Sequence, residues 1–321
     1  MIYELKNKIR NLSHKNTLVK KLYLLANRIK VSLLRGLSDE KFAKMKYKAN
    51  TGKSLNLENP ITFNEKLWWL KLNNRDPLLT ICSDKFKVRE YVKKCGLGHI
   101  LTKLYGVYDN ADDIIFDELP DRVFIKTNHG SGTNIIWDRN NPFDKEKFRK
   151  RFNKALKQNY YWQSREWNYK NIEPKIIVEE FLEDTNNNSL IDYRFFCFGG
   201  KVKILSVDLG ICAPDGSHSA FPVRNIYDTN FNYLDVKIER KNFDKSLVKK
   251  PKNFEKMIEY AEILSKPFPH CRVDLYNIDG KIYFGELTFY HGGCCQKITP
   301  AKWDKQMGDW IDLNSDKIVL E

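Results

Sequence analysis

Two acids and an arginine have the clearest chemical potential in this chain, in the stretch CRVDLYNIDGKIYFGELTFYHGG at residues 271–293. Asp274 and Glu286 each lie among apolar residues, and two converging carboxylates are costly to bury unless a cation lies between them. Mg²⁺ suits such hard oxygen ligands and completes its shell with water and nucleotide phosphates. Arg272 adds a guanidinium whose fork suits phosphate. The stretch therefore predicts a magnesium and phosphate site, with edge-strand charges that serve only solubility as the alternative.

A β-hairpin is the element that must position these acids. The sequence predicts strands over Val273–Tyr276 and Lys281–Leu287, joined by Asn277–Gly280, because an Asn/Asp/Gly cluster between β-branched and aromatic runs is typical of a tight turn. Side chains alternate along a strand, so both acids can project from one face of this hairpin. We therefore expect the two carboxylates to be neighbours in the folded chain.

A second hairpin is able to close over phosphate groups. The predicted strands Arg122–Thr127 and Asn134–Trp137 flank the sequence HGSG, whose glycines make a flexible turn with available amides. Such turns are common in ordinary loops, but Lys126 at the end of the first strand strengthens the interpretation. The predicted contacts to nucleotide phosphates are Lys126, His129, Gly130, Ser131 and Gly132.

Helices and strands alternate irregularly along the rest of the chain. Thr62 to Glu65 resembles a capping box that opens a tryptophan-rich helix over Lys66–Leu72. The other predicted helices are Lys85–Lys94, Asp144–Lys157 and Asn253–Lys266, and the other strands include Ile176–Val178, Asp192–Phe198 and Lys201–Val207. The order lacks βαβ regularity and therefore predicts the α+β class.

The composition indicates a globular protein with one large or two coupled lobes. The 321 residues are 42% hydrophobic and 13% aromatic, and no stretch approaches the ~20 apolar residues of a membrane span. Seven cysteines without a CxxC pair favour reduced thiols in the cytoplasm. The spacing of His291, Cys294 and Cys295, with His270 and Cys271, does not match the usual zinc patterns, so buried apolar thiols are the favoured interpretation.

Positive charge is concentrated before residue 51. Residues 1–50 hold thirteen Lys and Arg and three acids, which accounts for +10 of the net charge of +14. Apolar positions at helical spacing over residues 3–37 predict a basic amphipathic helix, either on an anionic membrane surface or packed on the body by its apolar stripe. The nearly balanced remainder, without a recognised binding motif, argues against nucleic acid as a partner.

Seven motifs in one order over about 250 residues resemble the TupA-like ATP-grasp family, named for teichuronopeptide synthesis. They lie within roughly residues 60–312 and read ITFNEKLWWLK, SDKFKVREYV, LPDRVFIKTNHGSGTNII, REWNYKNIEPKIIVEEFLED, DYRFFCFGGKV, RVDLYNIDGKIYFGELTFYHGG and GDWIDL. The resemblance implies an ATP-grasp fold in which two α+β lobes grip ATP. The implied organisation is a basic helical extension at residues 1–50, an abbreviated region at 51–120 and an ATP-grasp core at 121–321, with lobes at about 121–182 and 183–321.

The resemblance also assigns nucleotide contacts to single residues. Lys85 and Lys126 match the two lysines that contact ATP phosphates, and the loop with Gly130 and Gly132 matches the mobile cover of those phosphates. Asp192 stands where a ribose-binding acid often lies. The hinge that receives adenine corresponds to Glu179, Glu180, Phe181 and Leu182.

The metal and catalytic assignments follow in the same way. Asp274 and Glu286 match magnesium ligands, and Arg272 matches the arginine that steadies the transferred phosphoryl group, so Arg272 and Lys126 are the implied catalytic residues. Many ATP-grasp ligases carry Asn two residues after the second acid, whereas this chain has Thr288, whose hydroxyl is a poorer metal ligand. The expected substrate contacts are Arg194, Lys203, His291 and Gly292.

The implied activity is that of an ATP- and Mg²⁺-dependent carboxylate–amine ligase that works through an acyl phosphate. The resemblance further indicates that it attaches an amino acid or another amine to a uronic acid of a bacterial capsular or teichuronic polysaccharide. The expected location is the cytoplasm, with residues 1–37 holding the enzyme at the inner membrane face. The alternatives are a glycosyltransferase of the same pathway, for which no convincing DxD motif is present, and a non-catalytic ATP-binding scaffold, which rests on Thr288 alone.

Overall fold

The computed structural model describes residues 34–184, 190–213, 215–217, 219 and 221–320. Within these residues, two antiparallel sheets of unequal size form the body, and short helices pack around them. The predicted basic helix over residues 3–37 lies almost entirely outside the described residues. None of the described helices has the length and apolar character needed to cross a membrane.

In the described part of the chain, the helices before the first sheet include α1 (Asp39–Thr51), α2 (Phe63–Asn73), α3 (Pro77–Ser83) and α4 (Val88–Lys94). The capping box is confirmed, since the Thr62 hydroxyl accepts from the Glu65 amide while the Glu65 carboxylate accepts from the Thr62 amide. Helix α2 therefore begins three residues before the predicted start, and its Trp68 is fully buried.

The segment between α3 and α4 is a turn and not the start of a helix. The helix predicted over Lys85–Lys94 begins only at Val88, because the Asp84 carboxylate accepts from the amides of Phe86 and Lys87 and stabilises a turn there. Because Lys85 lies in this turn and not in the helix, its side chain reaches a cleft between the two sheets.

The smaller sheet consists of β1 (Leu104–Tyr108), β2 (Arg122–Thr127), β3 (Asn134–Asp138) and β4 (Ile176–Glu180), in the order β1–β4–β2–β3. The predicted bounds of β2 are confirmed, and those of β3 and β4 hold within two residues. Helix α5 (Lys145–Leu156) is capped by Asp144 and buries Phe148 and Phe152 against Val123 and Ile125 of β2. A single turn, α6 (Tyr161–Ser164), lies between α5 and β4.

The larger part of the chain follows β4. Its strands are β5 (Asp192–Phe198), β6 (Lys201–Leu209), β7 (Val223–Tyr227), β8 (Tyr233–Leu234), β9 (Lys237–Ile238), β10 (His270–Ile278), β11 (Lys281–Thr288) and β12 (Ile298–Thr299). Six of them form a sheet in the order β11–β10–β5–β6–β7–β8, and β9 pairs with β12. Helix α7 (Phe254–Ser265) packs on β5, β6 and β10, and α8 (Lys302–Asp309) packs on α2. Antiparallel sheets with segregated helices confirm the predicted α+β class.

Candidate active site

A cleft of about 520 Å³ lies between the two sheets. The smaller sheet contributes side chains of β2 and β4, the larger sheet contributes side chains of β5, β10 and β11, and the segment after β4 closes one end. Predicted nucleotide contacts that the structure places in this lining are Lys85, Lys126, Glu179, Glu180, Phe181, Leu182 and Asp192. Residues far apart in sequence thus meet in one cleft.

A chain of ion pairs holds Lys126 in the cleft. Lys126 Nζ lies 2.6 Å from Glu179 Oε2, and Arg89 Nη1 lies 3.2 Å from Glu179 Oε1. Arg89 is anchored in turn, since its Nη2 donates to the Thr102 carbonyl at 2.6 Å. Because Glu179 is buried, its carboxylate serves these two cations and not the solvent. Glu179 therefore positions the lysine, a function that the sequence analysis did not assign to it.

The segment after β4 is suited to a planar base. The Glu180 amide donates to the Lys103 carbonyl at 2.9 Å, and the Glu180 carboxylate accepts from the Lys103 amide at 3.1 Å. Phe181 and Leu182 follow and line the cleft, with the Arg122 guanidinium 4.2 Å from the centre of the Phe181 ring. An apolar wall with main-chain groups at its edge is typical of sites that bind flat heterocycles.

Lys85 joins the glycine-containing loop to the acids of the hairpin. Its Nζ donates to the Gly130 carbonyl at 3.0 Å and lies 3.6 Å from Glu286 Oε2. An ammonium in this position reaches both the loop and the predicted metal ligand, which is where the phosphates of a nucleotide would need a compact cation. Lys85 therefore lies in the cleft beside the glycine-containing loop.

His129 is placed differently from the expectation. Its Nε2 lies 3.1 Å from the Ala155 carbonyl at the end of α5, and its Nδ1 lies 3.3 Å from Asn128 Oδ1. The ring is buried and is absent from the lining of the cleft. His129 thus anchors the loop to α5, while the exposed Ser131 and the loop amides are the groups that remain available to phosphate.

A β-bulge places Asp274 and Glu286 opposite each other. Leu275 pairs with Phe284 whereas Asp274 pairs with Glu286, so Gly285 is the extra residue between the two pairs. In the register fixed by the turn alone, Asp274 would face Gly285, and Glu286 would project from the other side of the sheet. Strict alternation, on which the expectation rested, would therefore have separated the acids, and the bulge brings them together.

Gly285 is the residue type that this bulge requires. A Cβ at this position would lie 2.9 Å from the Asp274 carbonyl oxygen, closer than real contacts allow. A glycine inside a strand often marks a bulge or a close approach of two backbones. This was the signal in the sequence that could have identified the bulge.

Arg272 links the oxygen donors of the hairpin. It donates from Nε to Asp274 Oδ1 at 2.7 Å and from Nη2 to Asp274 Oδ2 at 2.6 Å. The same Nη2 lies 3.1 Å from Thr288 Oγ1 and 3.5 Å from Glu286 Oε1, and the Thr288 hydroxyl donates to Glu286 at 3.1 Å. Three hard oxygen donors on one face of the hairpin fit Mg²⁺, with Arg272 beside them.

The pKa values of the two acids shift in opposite directions because their surroundings differ. Desolvation in the cleft would raise the pKa of Glu286, but Lys85, Arg272 and Arg194 outweigh it and lower that pKa to about 2. Burial raises the pKa of Asp274, against the opposing charges of Arg272 and Arg194. Glu286 is the more accessible of the two, since its side chain is 40% exposed, and it is held ionised towards the cleft.

A buried ion cluster extends from the acids across the larger sheet, and sequence reasoning found only part of it. Arg194 pairs with Asp192 at 3.0 Å, with Asp208 at 3.2 Å and with Asp274 at 3.5 Å. Asp208 is fully buried on β6, and Arg224 of β7 donates to both of its oxygens at 2.6 Å. An acid within an apolar strand was the signal in the sequence that marked Asp208 as unusual. Its arginine partners lie elsewhere in the chain, so the sequence did not indicate the pairing.

Three expected substrate contacts are not explained by the cleft. Lys203 lies at a bulge of β6 with its side chain exposed, and it does not line the cleft. His291 is buried, with Nε2 at 3.2 Å from His270 Nε2 and Nδ1 at 2.7 Å from Gln296 Oε1. At Gly292, which has φ +60°, a Cβ would lie 2.0 Å from Gln296 Cγ, so glycine serves packing here.

Comparison with known proteins gives one family match. The model of the TupA-like ATP-grasp family matches residues 65–312. No curated protein matches the chain.

Solved structures with a similar fold share little sequence with the chain. D-alanine–D-alanine ligase from Bacillus anthracis is 16% identical over 66% of this chain and 59% of the ligase, with a TM-score of 0.37. D-cycloserine synthetase is 13% identical over 74% of this chain and 73% of the synthetase, with a TM-score of 0.41. Phosphoribosylamine–glycine ligase from Thermotoga maritima is 12% identical over 67% of this chain and 49% of the ligase, with a TM-score of 0.40. The chain thus spans less than two thirds of the length of the first and third of these ligases.

The family match covers most of the chain and contains the whole candidate site. It includes both sheets, the lining of the cleft from Lys85 to Gly285, and the hairpin with Asp274 and Glu286. The chain therefore belongs to the TupA-like ATP-grasp family.

Proposed function

We propose that the protein is an ATP- and Mg²⁺-dependent ligase that joins a carboxylate to an amine through an acyl phosphate. The observation that carries this proposal is the position of Lys85, which lines the cleft together with Lys126 and lies 3.6 Å from Glu286 Oε2. Beside Glu286, Arg272 bonds Asp274, so the cations of the cleft and the acids of the hairpin are neighbours. Phosphoryl transfer depends on positioning and on neutralising oxygen charge more than on covalent chemistry by the protein. This set of residues is suited to both tasks.

The residues around the cleft divide the contacts to the nucleotide. The main chain at Glu180–Leu182 would face the adenine, and Asp192 would accept hydrogen bonds from the ribose hydroxyls. Lys85 and Lys126 would hold the phosphates, the first beside the loop and the second fixed by Glu179. Each group would then lie on rigid strands or on a loop anchored to them.

The transferred phosphoryl group would lie beside Arg272. Asp274, Glu286 and Thr288 would hold Mg²⁺, which supplies charge neutralisation at the phosphate oxygens when bound. An oxygen of the substrate carboxylate attacks the γ-phosphorus, and ADP leaves with the electrons of the broken bond. The amine then attacks the acyl carbon, loses a proton and expels phosphate. Closure of the exposed tip of the loop, at Ser131 and Gly132, would exclude the water that hydrolyses acyl phosphates.

The substrates that we propose are a uronic acid of a bacterial surface polysaccharide and an amino acid or amino sugar. Support comes from the family match and from the basic residues before residue 51, which would bring the enzyme to lipid-linked glycan at an anionic membrane face. If residues 1–37 have this function, their deletion should lower binding to anionic vesicles while ATP turnover in solution stays unchanged. Equal vesicle binding by the shortened chain would overturn this part of the proposal.

The proposed chemistry is tested by ADP release with Mg-ATP, measured for a panel of uronic acids crossed with a panel of amines. Hydroxylamine in place of the amine should convert the acyl phosphate to a stable hydroxamate of the same acid. ADP release that requires one acid and one amine, together with hydroxamate formation, is the expected result. ADP release with an acid alone and no hydroxamate would indicate simple phosphoryl transfer. ATP binding without any ADP release would favour a non-catalytic ATP-binding scaffold.

A further inference from the structure

We propose that a second, cationic cavity binds an anionic group of the acceptor other than the carboxylate that is activated. The acceptor would then be a chain with repeated negative charges. The cavity has a volume of about 480 Å³ and lies at the small β9–β12 sheet. Four of the seven residues that line it are cations: Lys237, Arg240, Lys241 and Lys297. The identity of the ligand rests on the proposed ligase function, whereas the preference for an anion rests on the cavity alone.

The single acid among the described lining residues offsets only one of the four positive charges. Glu239 Oε2 accepts from the Lys297 amide at 3.0 Å, and the Glu239 amide donates to the Lys297 carbonyl at 2.9 Å. The carboxylate is thus engaged by the backbone that joins β9 to β12. The four cationic side chains keep a net positive charge in the cavity, which favours an anionic ligand.

Arg240 connects the cavity to the buried carboxylate of Asp208, which contacts three arginines. Asp208 accepts two hydrogen bonds from Arg224 at 2.6 Å and also contacts Arg194 and Arg240. Among the described residues, Asp208 is the only acid within 4.0 Å of Arg224 or Arg240. One carboxylate cannot neutralise two guanidinium groups, and burial together with Arg224 lowers the pKa of Arg240 to about 10. A ligand anion at Arg240 would supply the missing charge.

This ion cluster connects the cavity with the candidate active site, because side-chain contacts run from Arg240 through Asp208 and Arg194 to Asp274. Arg194 pairs in register with Asp274 on β10 and with Ser206 on β6, and Asp208 lies two residues after Ser206, so these side chains share one face of the sheet. Strand β6 is two strands away from β10, which corresponds to roughly 10 Å across the sheet. An acceptor of several sugar units would present one carboxylate at the candidate active site and another at Arg240.

The distribution of charge favours an acidic saccharide over nucleic acid. Residues 51–321 carry only +4 of the net charge of +14, which is low for a surface that binds a long nucleic acid. The cations instead line a concave volume beside the predicted site of carboxylate activation. An arginine fork at its inner wall suits a planar carboxylate.

The inference is tested by calorimetric binding of trigalacturonate to the full chain without ATP, with maltotriose as the neutral ligand. The variant Lys237→Gln/Lys297→Gln removes two exposed charges of the cavity and leaves the Arg240–Asp208 contact in place. Its matched control is Lys249→Gln/Lys256→Gln, which removes two exposed lysines elsewhere. We expect at least fivefold weaker binding and a shallower salt dependence in the cavity variant, less than twofold change in the control, and no binding of maltotriose.

The outcomes separate this inference from the proposed function. Equal affinities of the cavity and control variants would overturn the inference, even if a ligase activity is found. If the cavity variant binds anionic vesicles more weakly but binds trigalacturonate as the wild type does, the inference is also overturned, in favour of a lipid ligand. Cavity-dependent binding of trigalacturonate in a protein that forms no amide would support the anion site and refute the ligase. With ligase activity established, the cavity variant should raise KM for the trimer, while kcat and KM for the monomer stay unchanged.

Discussion

Arg272 holds the Asp274 carboxylate by two hydrogen bonds, of 2.7 and 2.6 Å, and the same guanidinium reaches Thr288 and Glu286. The residue proposed to stabilise the transferred phosphoryl group and the proposed metal ligands therefore form one bonded unit. Substitution of one of these residues changes the electrostatic environment of the others, because charges in a buried cluster are weakly screened. Tests of the site must therefore measure folding as well as turnover.

The first prediction concerns Asp274→Asn. This change removes the carboxylate of a proposed metal ligand without changing the size of the side chain, and ATP turnover should fall by roughly a hundredfold or more. The matched control is Asp279→Asn in the exposed turn of the same hairpin, which should keep near-normal turnover. Thermal unfolding of both variants shows whether the fold is intact. Near-normal turnover of Asp274→Asn would remove its metal role from the mechanism.

The second prediction concerns Lys126→Met. A hydrogen bond to a charged group contributes about 1.5–3 kcal/mol, so ATP affinity should fall roughly ten- to hundredfold. Titration calorimetry with Mg-ATP measures this change directly. Lys147→Met, on the exposed face of α5, serves as the control for the loss of one positive charge. Unchanged affinity in Lys126→Met would mean that its ammonium serves only Glu179.

The third prediction concerns Gly285→Ala. The added methyl group would meet the Asp274 carbonyl at 2.9 Å, so the bulge must shift and Glu286 must move with it. Turnover should fall by at least tenfold while most of the sheet stays folded. In the control Gly98→Ala, the nearest atom is the flexible Lys93 side chain at 3.2 Å, and activity should be retained. Equal activities of the two variants would show that the bulge does not align the acids.

The fourth prediction concerns the pH dependence of ATP binding through Asp192. Burial raises the pKa of Asp192 to about 6, against the opposing charge of Arg194, and Asp208 and Asp274 add to the rise. An ionised carboxylate accepts ribose hydroxyls better than a neutral acid does, so affinity should rise between pH 5 and 7. The ratio of affinities of the wild type and Asp192→Asn cancels the titration of ATP itself. A ratio that does not change with pH would exclude Asp192 as the titrating group.

The fifth prediction concerns the His270–His291 pair. Burial lowers the pKa of His270 to about 3 and lowers that of His291 well below its usual value. Because an unfolded histidine titrates near 6.5, the unfolded chain binds more protons, and the free energy of unfolding falls as pH drops below about 6.5. At pH 5 the loss is about 2 kcal/mol for each histidine.

Urea unfolding at pH 7.5 and pH 5, followed by tryptophan fluorescence, measures the stability that acid removes from the wild type. The double variant His270→Asn/His291→Asn should lose less stability over this interval, even if it is less stable at both pH values. An identical loss in the two proteins would show that the histidines are already accessible to protons in the folded chain.

Local chemistry made several elements predictable from sequence. The capping box at Thr62 and Glu65, the cap at Asp144 and the bounds of β2 depend on residues within a few positions of one another. The turn at Asp279 and Gly280 is of the same kind, since both residues have positive φ. The sequence also identified the types of residue that the candidate site contains.

The alignment of that site depended on contacts that no local pattern encodes. The orientation of His129 is set by a carbonyl of α5, and Asp208 meets its arginines only because β5, β6 and β7 are neighbours.

Turn and strand preferences act over a few residues, and they already place Asp274 and Glu286 in one hairpin with Arg272. That the two acids lie opposite each other on one face depends on the folded sheet. The bulge at Gly285 changes the side from which Glu286 projects, and the pairing of β10 with β5 brings Arg194 to Asp274. A shift of one residue reverses the face of every side chain beyond it, so the position of a carboxylate depends on register, which long-range pairing fixes.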